Sequence, residues 1–193
     1  NRGNSLTSNH IHHSGLSMWH APGIFVWQSG RNYIAHNHIH HTPYTGIVVS
    51  GRIRLGRNGR GECANTIRWS EVDSVLGTDY EQPLWHSPAA WKADWDRREP
   101  LLHARHNVLE NNDIHHVMQI MGDGNGVYIS GCGRGNIVRN NVIRDCPSPS
   151  MAEGIRCDDD QHETTIQSNL VYGQGGFATG ICIKGVNEIV DNI

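Results

Sequence analysis

The chain has 193 residues, enough for one domain with a real core, and 37% of them are hydrophobic. Sixteen basic against nineteen acidic side chains give a formal charge of −3, and the densest basic run, RIRLGRNGR at 52–60, reads as a solvated loop, which argues against a nucleic-acid partner. No apolar run approaches the ~18 residues of a membrane span, and five cysteines without a CxxC pair argue against a disulfide framework or a zinc knuckle.

The first element in chain order is SLTSNHI at 5–11, and its pattern returns along the chain. It recurs at YIAHNHI (33–39), VLENNDI (108–114), IVRNNVI (137–143), TIQSNLV (165–171) and EIVDNI (188–193). The aligned asparagines are Asn9, Asn37, Asn112, Asn141, Asn169 and Asn192. Five residues before each stands Asn4, Asn32, Asn107, Asn136, Thr164 or Asn187.

A glycine-led segment follows each of the first five: GIFVWQ at 23, GIVVSG at 46, GVYISG at 126, GIRCDD at 154 and GICIKG at 180. Apolar residues alternate there, the period of a strand with one buried face. Each repeat therefore reads as two short strands, one holding asparagine and one led by glycine, with a usual length of 23–29 residues. Self-similarity at this period predicts an all-β fold, a right-handed parallel β-helix. About six coils start near 4, 32, 107, 136, 164 and 187 of a single domain. The apolar positions are mostly Ile and Val, which argues against leucine-rich repeats. The asparagines suit corners that need a left-handed backbone, where Asn costs least after Gly. The chain begins at Asn1 and stops within the pattern, so it is read as a fragment whose missing coils, at both ends, belong to the same full-length protein.

One interval is long. Between Gly46 and Asn112 about fifty extra residues, 52–104, form an inserted excursion expected to cover one side. It holds Trp69, Trp85, Trp91 and Trp95, and SPAAWKADWDRRE predicts a helix capped by Ser87 with Pro88 in its first turn.

The histidines form two columns, His12/His40/His115 and His13/His41/His116, and are read as turn residues imposed by the repeat. No HExxH or comparable ligand spacing is present, so no metal or other cofactor is assigned.

In the glycine-led strands the outward positions stack Phe25, Val48, Tyr128, Arg156 and Cys182, then Trp27, Ser50, Ser130, Asp158 and Lys184. Aromatic faces beside charged groups are what sugars require. Asp158, Asp159 and Asp160 are the densest acidic cluster, and Asp123 sits in the glycine-rich MGDGNGVY. Each also has a plain reading as a solvated turn residue.

Two runs, MGDGNGVYISGCGRGNIVRNNVIRDC and AEGIRCDDDQHETTIQSNLVYG, resemble the central coils of carbohydrate-active β-helix proteins. The group in view is glycoside hydrolase family 141, which includes α-L-fucosidase and xylanase activities. Arg156-Cys157 stands where that family has Tyr-Leu, and Asn125-Gly126 where it has Gly-Gly. The resemblance implies Asp123 and Asp158 as general acid and nucleophile or base, with Asp159 completing the acidic pair. It also implies a polysaccharide or oligosaccharide substrate and a secreted or cell-surface location; the mixed outward face offers Tyr128, Arg156, Lys184, Trp27 and Glu153 as the residues to hold that substrate. On a straight run Asp123 and Asp158 stand ~23 Å apart, so pairing them requires the loop at 120–125 to turn back over Tyr128; Glu153 is a substitute partner. Two other readings stay open: a polysaccharide lyase with Arg156, Lys184 or His116 near the substrate, and a non-catalytic sugar-binding or structural β-helix.

Overall fold

Residues that alternate between core and solvent pair best with copies of themselves, and the repeats do so strand by strand. The computed structural model describes residues 2–52, 67–80, 87–175 and 179–193. Cys63 and Trp85 lie outside the described residues. The chain is mostly strands in three parallel sheets, with few helices.

The first sheet runs β1 (Ser5–Thr7), β4 (Tyr33–Ala35), β7 (Val108–Glu110), β10 (Asn136–Arg139), β13 (Thr164–Gln167), β16 (Glu188–Val190). The second runs β2 (His10–His12), β5 (His38–His40), β8 (Asp113–His115), β11 (Val142–Cys146), β14 (Leu170–Gln174). The third runs β3 (Ile24–Trp27), β6 (Ile47–Ser50), β9 (Gly124–Ser130), β12 (Ala152–Asp158), β15 (Ile181–Ile183). A full repeat therefore contributes three strands, not the two expected. The asparagine segment is two strands with a corner at the asparagine, because the residue before it turns left-handed. That residue is Ser8, His36, Asn111, Asn140, Ser168 or Asp191, with φ between 51° and 59°.

The aligned asparagines do not themselves carry the left-handed backbone. They are there for their amides. Asn112 Oδ1 accepts from the backbone N–H of Asn37 at 3.0 Å and from its Nδ2 at 2.9 Å. Asn141 does the same for Asn112, and Asn169 for Asn141. Nδ2 of Asn141 also donates to the Leu109 carbonyl at 3.0 Å. One side chain thus satisfies backbone groups of neighbouring repeats in a buried place, where an unmet N–H costs ~1–3 kcal/mol. The earlier column, Asn4, Asn32, Asn107 and Asn136, forms a second such ladder.

Inside the sheets Ile34, Ile39, Ile47, Leu109, Ile114, Val127, Ile129, Val138, Ile143, Ile155 and Ile166 are fully buried in one cluster. Cys132, Cys146 and Cys157 belong to it as free thiols. Of the residues expected to face inward, Val26 and Ile181 are half-buried and Ile183 exposed, on the two outermost strands of the third sheet.

Between β6 and β7 the excursion carries α1 (Trp69–Leu76) and α2 (Pro88–Arg98), then a 3₁₀ turn at Glu99–Leu101. The helix expected at SPAAWKADWDRRE is present, and Ser87 Oγ accepts from the Ala90 N–H at 3.3 Å. A second cluster of Val72, Leu76, Trp95, Leu101 and Leu102 packs beneath these helices. The Trp95 indole N–H reaches the Cys132 carbonyl at 3.1 Å, which ties α2 to the loop after β9. The Arg98 guanidinium joins Asp94 at 2.7 Å and the Asp160 carboxylate.

The turn role expected of the histidines holds for His13, His41 and His116, with φ of 53°, 52° and 50°. It fails for His12, His40 and His115. These lie on β2, β5 and β8, which run one residue further than the asparagine pattern suggests.

Candidate functional site

Period-two alternation in β9 and β12 sends Val127, Ile129, Ile155 and Cys157 into the core, so Tyr128, Ser130, Arg156 and Asp158 project from the other face. The register pairs Tyr128 with Arg156, and Ser130 with Asp158. One step onward Arg156 pairs with Cys182, and one step back Val48 pairs with Tyr128. The expected column from Phe25 to Cys182 is therefore present, and the second runs from Trp27 to Asp158, with Lys184 one residue beyond β15.

Arg156 is the hub. Its Nη2 lies 2.8 Å from Asp158 Oδ2, and its Nη1 lies 3.3 Å from Asp123 Oδ1 and 3.5 Å from Glu153 Oε2. Because the guanidinium is one rigid fork, the Asp123 and Asp158 oxygens that it holds stand no more than ~8 Å apart, close enough for a carboxyl pair to act on one bond. The loop does turn back: Asp123 has φ 53°, and Tyr44 Oη donates to its carbonyl at 3.1 Å. Its side chain is 79% exposed, whereas those of Asp158 and Glu153 are 8% and 7% exposed.

Asp158 is surrounded by donors. Burial alone would raise its pKa, but the Lys184 ammonium, the Asp159 N–H and the Arg156 guanidinium outweigh burial and hold it below the ordinary 3.8. Tyr128 Oη is 3.2 Å from both Asp158 Oδ2 and Asp159 Oδ2. Burial first, then those two carboxylates, pushes the Tyr128 phenol well above its ordinary range, so it stays a donor. Asp159, at φ 48°, also accepts from Ser130 Oγ at 2.7 Å and pairs with Arg52 at 3.2 Å.

Asp123, Glu153, Asp158, Asp159, Tyr128, Arg156 and Lys184 thus converge. Trp27 does not. It shares the column of Ser130 and Asp158 through Ser50, but two strand spacings separate it from Ser130 and three, ~14 Å, from Asp158. There it packs on the exposed Phe25, with ring centroids 5.5 Å apart.

Sequence reasoning missed Arg52, Ser130 and Asn125 as members. Asn125 Nδ2 donates to Glu153 Oε2 at 2.5 Å, and Arg52 arrives from the start of the excursion. Column alignment signals two of them, Ser130 with Asp158 and Asn125 with Glu153. A separate cleft, lined by Arg2, Arg31, His103 and Arg105 among others, contains none of these carboxylates.

Comparison of the chain with family models, with curated proteins and with solved structures returns no match.

Proposed function

We propose that the three sheets are the faces of a right-handed parallel β-helix, and that the cluster around Arg156 cleaves glycosidic bonds in a polysaccharide, in the manner of glycoside hydrolase family 141. One observation carries this reading: a single guanidinium gathers Asp123, Glu153 and Asp158 on an outward sheet face, with Asp123 and Asp158 no more than ~8 Å apart. Asp158, held ionised, serves as nucleophile or as base toward water. The exposed Asp123 delivers a proton to the leaving oxygen, and Tyr128, Lys184 and Asp159 bind sugar hydroxyls. Positive charge developing on the sugar ring is stabilised by the surrounding carboxylates. Phe25 and Trp27 provide a remote aromatic platform for a long chain.

Leaving-group dependence tests the assignment of the acid. With Asp123→Asn, an aryl glycoside with a nitrophenolate leaving group keeps its rate, while a natural linkage loses the ~10²–10⁴-fold that general acid catalysis contributes. Equal losses on both substrates would remove Asp123 from that role.

A second reading is favoured by the pairing of Asp158 with Arg156 and Lys184 together. On it, the face binds sugar without cleaving it, and oligosaccharide affinity survives with no product formed. Absorbance from a new double bond on uronate polymers would instead point to a lyase.

A further inference from the structure

The second sheet turns a different chemistry outward. Ile11, Ile39 and Ile114 point to the core, so the residues flanking them face away from it. The register places His10, His38 and Asp113 in one column, and His12, His40 and His115 in the next. The rings of His12, His40 and His115 stack nearly parallel, with centroids 5.3 and 5.0 Å apart. Strand spacing accounts for the stacking. Two further facts bear on a ligand. Donor atoms of His38, Asp113 and His115 all lie within 4.8 Å of one another. Asp113 Oδ1, moreover, is buried without a hydrogen-bond partner, the kind of oxygen that a cation satisfies.

We propose that this sheet binds one divalent transition-metal ion of the zinc class, with His38, Asp113 and His115 as its three protein ligands. Two imidazoles and a carboxylate suit such ions, and three ligands leave a position open to water. Ligands ~2.0–2.2 Å from a tetrahedral ion stand ~3.3 Å from each other. His38 Nε2 is 2.8 Å from His115 Nε2 and 3.8 Å from Asp113 Oδ2, so small side-chain rotations reach that spacing from either side. The proton shared in the Nε2···Nε2 contact moves to the Nδ1 of the ring that carried it, leaving both lone pairs for the ion. His115 Nδ1 is 2.8 Å from His116 Nδ1, which then accepts from it and fixes the ring. Arg144 Nη2 holds Asp113 Oδ2 at 3.2 Å and orients the carboxylate. A neighbouring set, His10, His38 and His40, has comparable spacing but shares His38, so the two sets hold one ion between them. The carboxylate charge decides for Asp113.

The test is zinc titration of the untagged, chelator-stripped chain by calorimetry, with the visible spectrum of the Co²⁺ form as a second readout. The wild type binds one Zn²⁺, His38→Ala, Asp113→Ala and His115→Ala each weaken binding at least ~100-fold, and His10→Ala stays within ~3-fold. Circular dichroism checks that each variant keeps its strands. Should a variant unfold, the wild-type Co²⁺ spectrum still decides: intense four- or five-coordinate bands are expected, and the weak hexaaquo spectrum alone overturns the site. Wild-type protein that takes up no zinc, Asp113→Ala that binds like wild type, or His10→Ala that loses the ion each overturns it as well. None of these readouts involves the carboxylates of the third sheet.

Discussion

Arg156 and Asp158 stand two residues apart on β12, side chains on the same face, and form an ion pair at 2.8 Å with each residue almost wholly buried. Lys184 meets the other oxygen of Asp158 from beyond β15. Two cations on one buried carboxylate keep it charged, and the same guanidinium fixes Asp123 and Glu153 around it.

Removing the hub takes its cation from the buried Glu153 and leaves Asp158 to Lys184. Arg156→Leu is expected to lower the unfolding free energy by about 3–5 kcal/mol. Urea titration followed by circular dichroism measures this, with Arg134→Leu, on a half-exposed side chain, as the control.

The depressed pKa of Asp158 fixes a sign for the pH dependence of stability. Its folded value lies below the ordinary 3.8, so the unfolded state binds the proton more readily. The stabilisation is complete above the unfolded value, declines as pH falls toward it, and is gone below the folded one. Unfolding free energies of wild type and Asp158→Asn should differ by a constant amount at pH 6–8 and converge as the pH drops below about 4.

The adjacent Asn140 and Asn141 have separate jobs, and substitution should separate them. Asn141→Ala leaves the buried Asn112 N–H and Leu109 carbonyl without their partner and costs about 2–3 kcal/mol. Asn140 is exposed at φ 55°, so Asn140→Gly is tolerated, whereas Asn140→Val costs about 1–2 kcal/mol. Thermal melts of the three variants, ranked Gly above Val above Ala, check this.

Trp95 is fully buried and is the side chain that anchors α2. Trp95→Ala should cost about 3–5 kcal/mol by lost burial and cavity formation. Limited proteolysis should then cut first within 67–104, while the strand signal persists.

Much of the architecture was legible because its period is short and repeated. Period two placed Tyr128, Arg156, Ser130 and Asp158 in their columns, and the recurring asparagines marked the corners. The third strand of each repeat was hidden because the left-handed residue varies, being Ser8 in one repeat and Asn140 in another. Columns carry direction but not reach, which is why Trp27 was grouped with carboxylates three strands away. Arg52 was invisible for another reason: it reaches Asp159 from the start of the excursion, outside the repeat, whereas Asn125 stands before Gly126 as Glu153 does before Gly154, so the repeat does set that pair side by side. Asp113 was legible in the same way, since aligning VLENNDI with YIAHNHI puts it in the column of His38.

The most direct measurement is the rate of reducing-end release from a polysaccharide panel by wild type and by Asp158→Asn, with folding of the variant verified by circular dichroism. The account predicts release from at least one substrate by wild type, and a loss of roughly 10³-fold or more in the variant, as expected when a group acting on the reacting atoms is removed. Release by Asp158→Asn at the wild-type rate would contradict it.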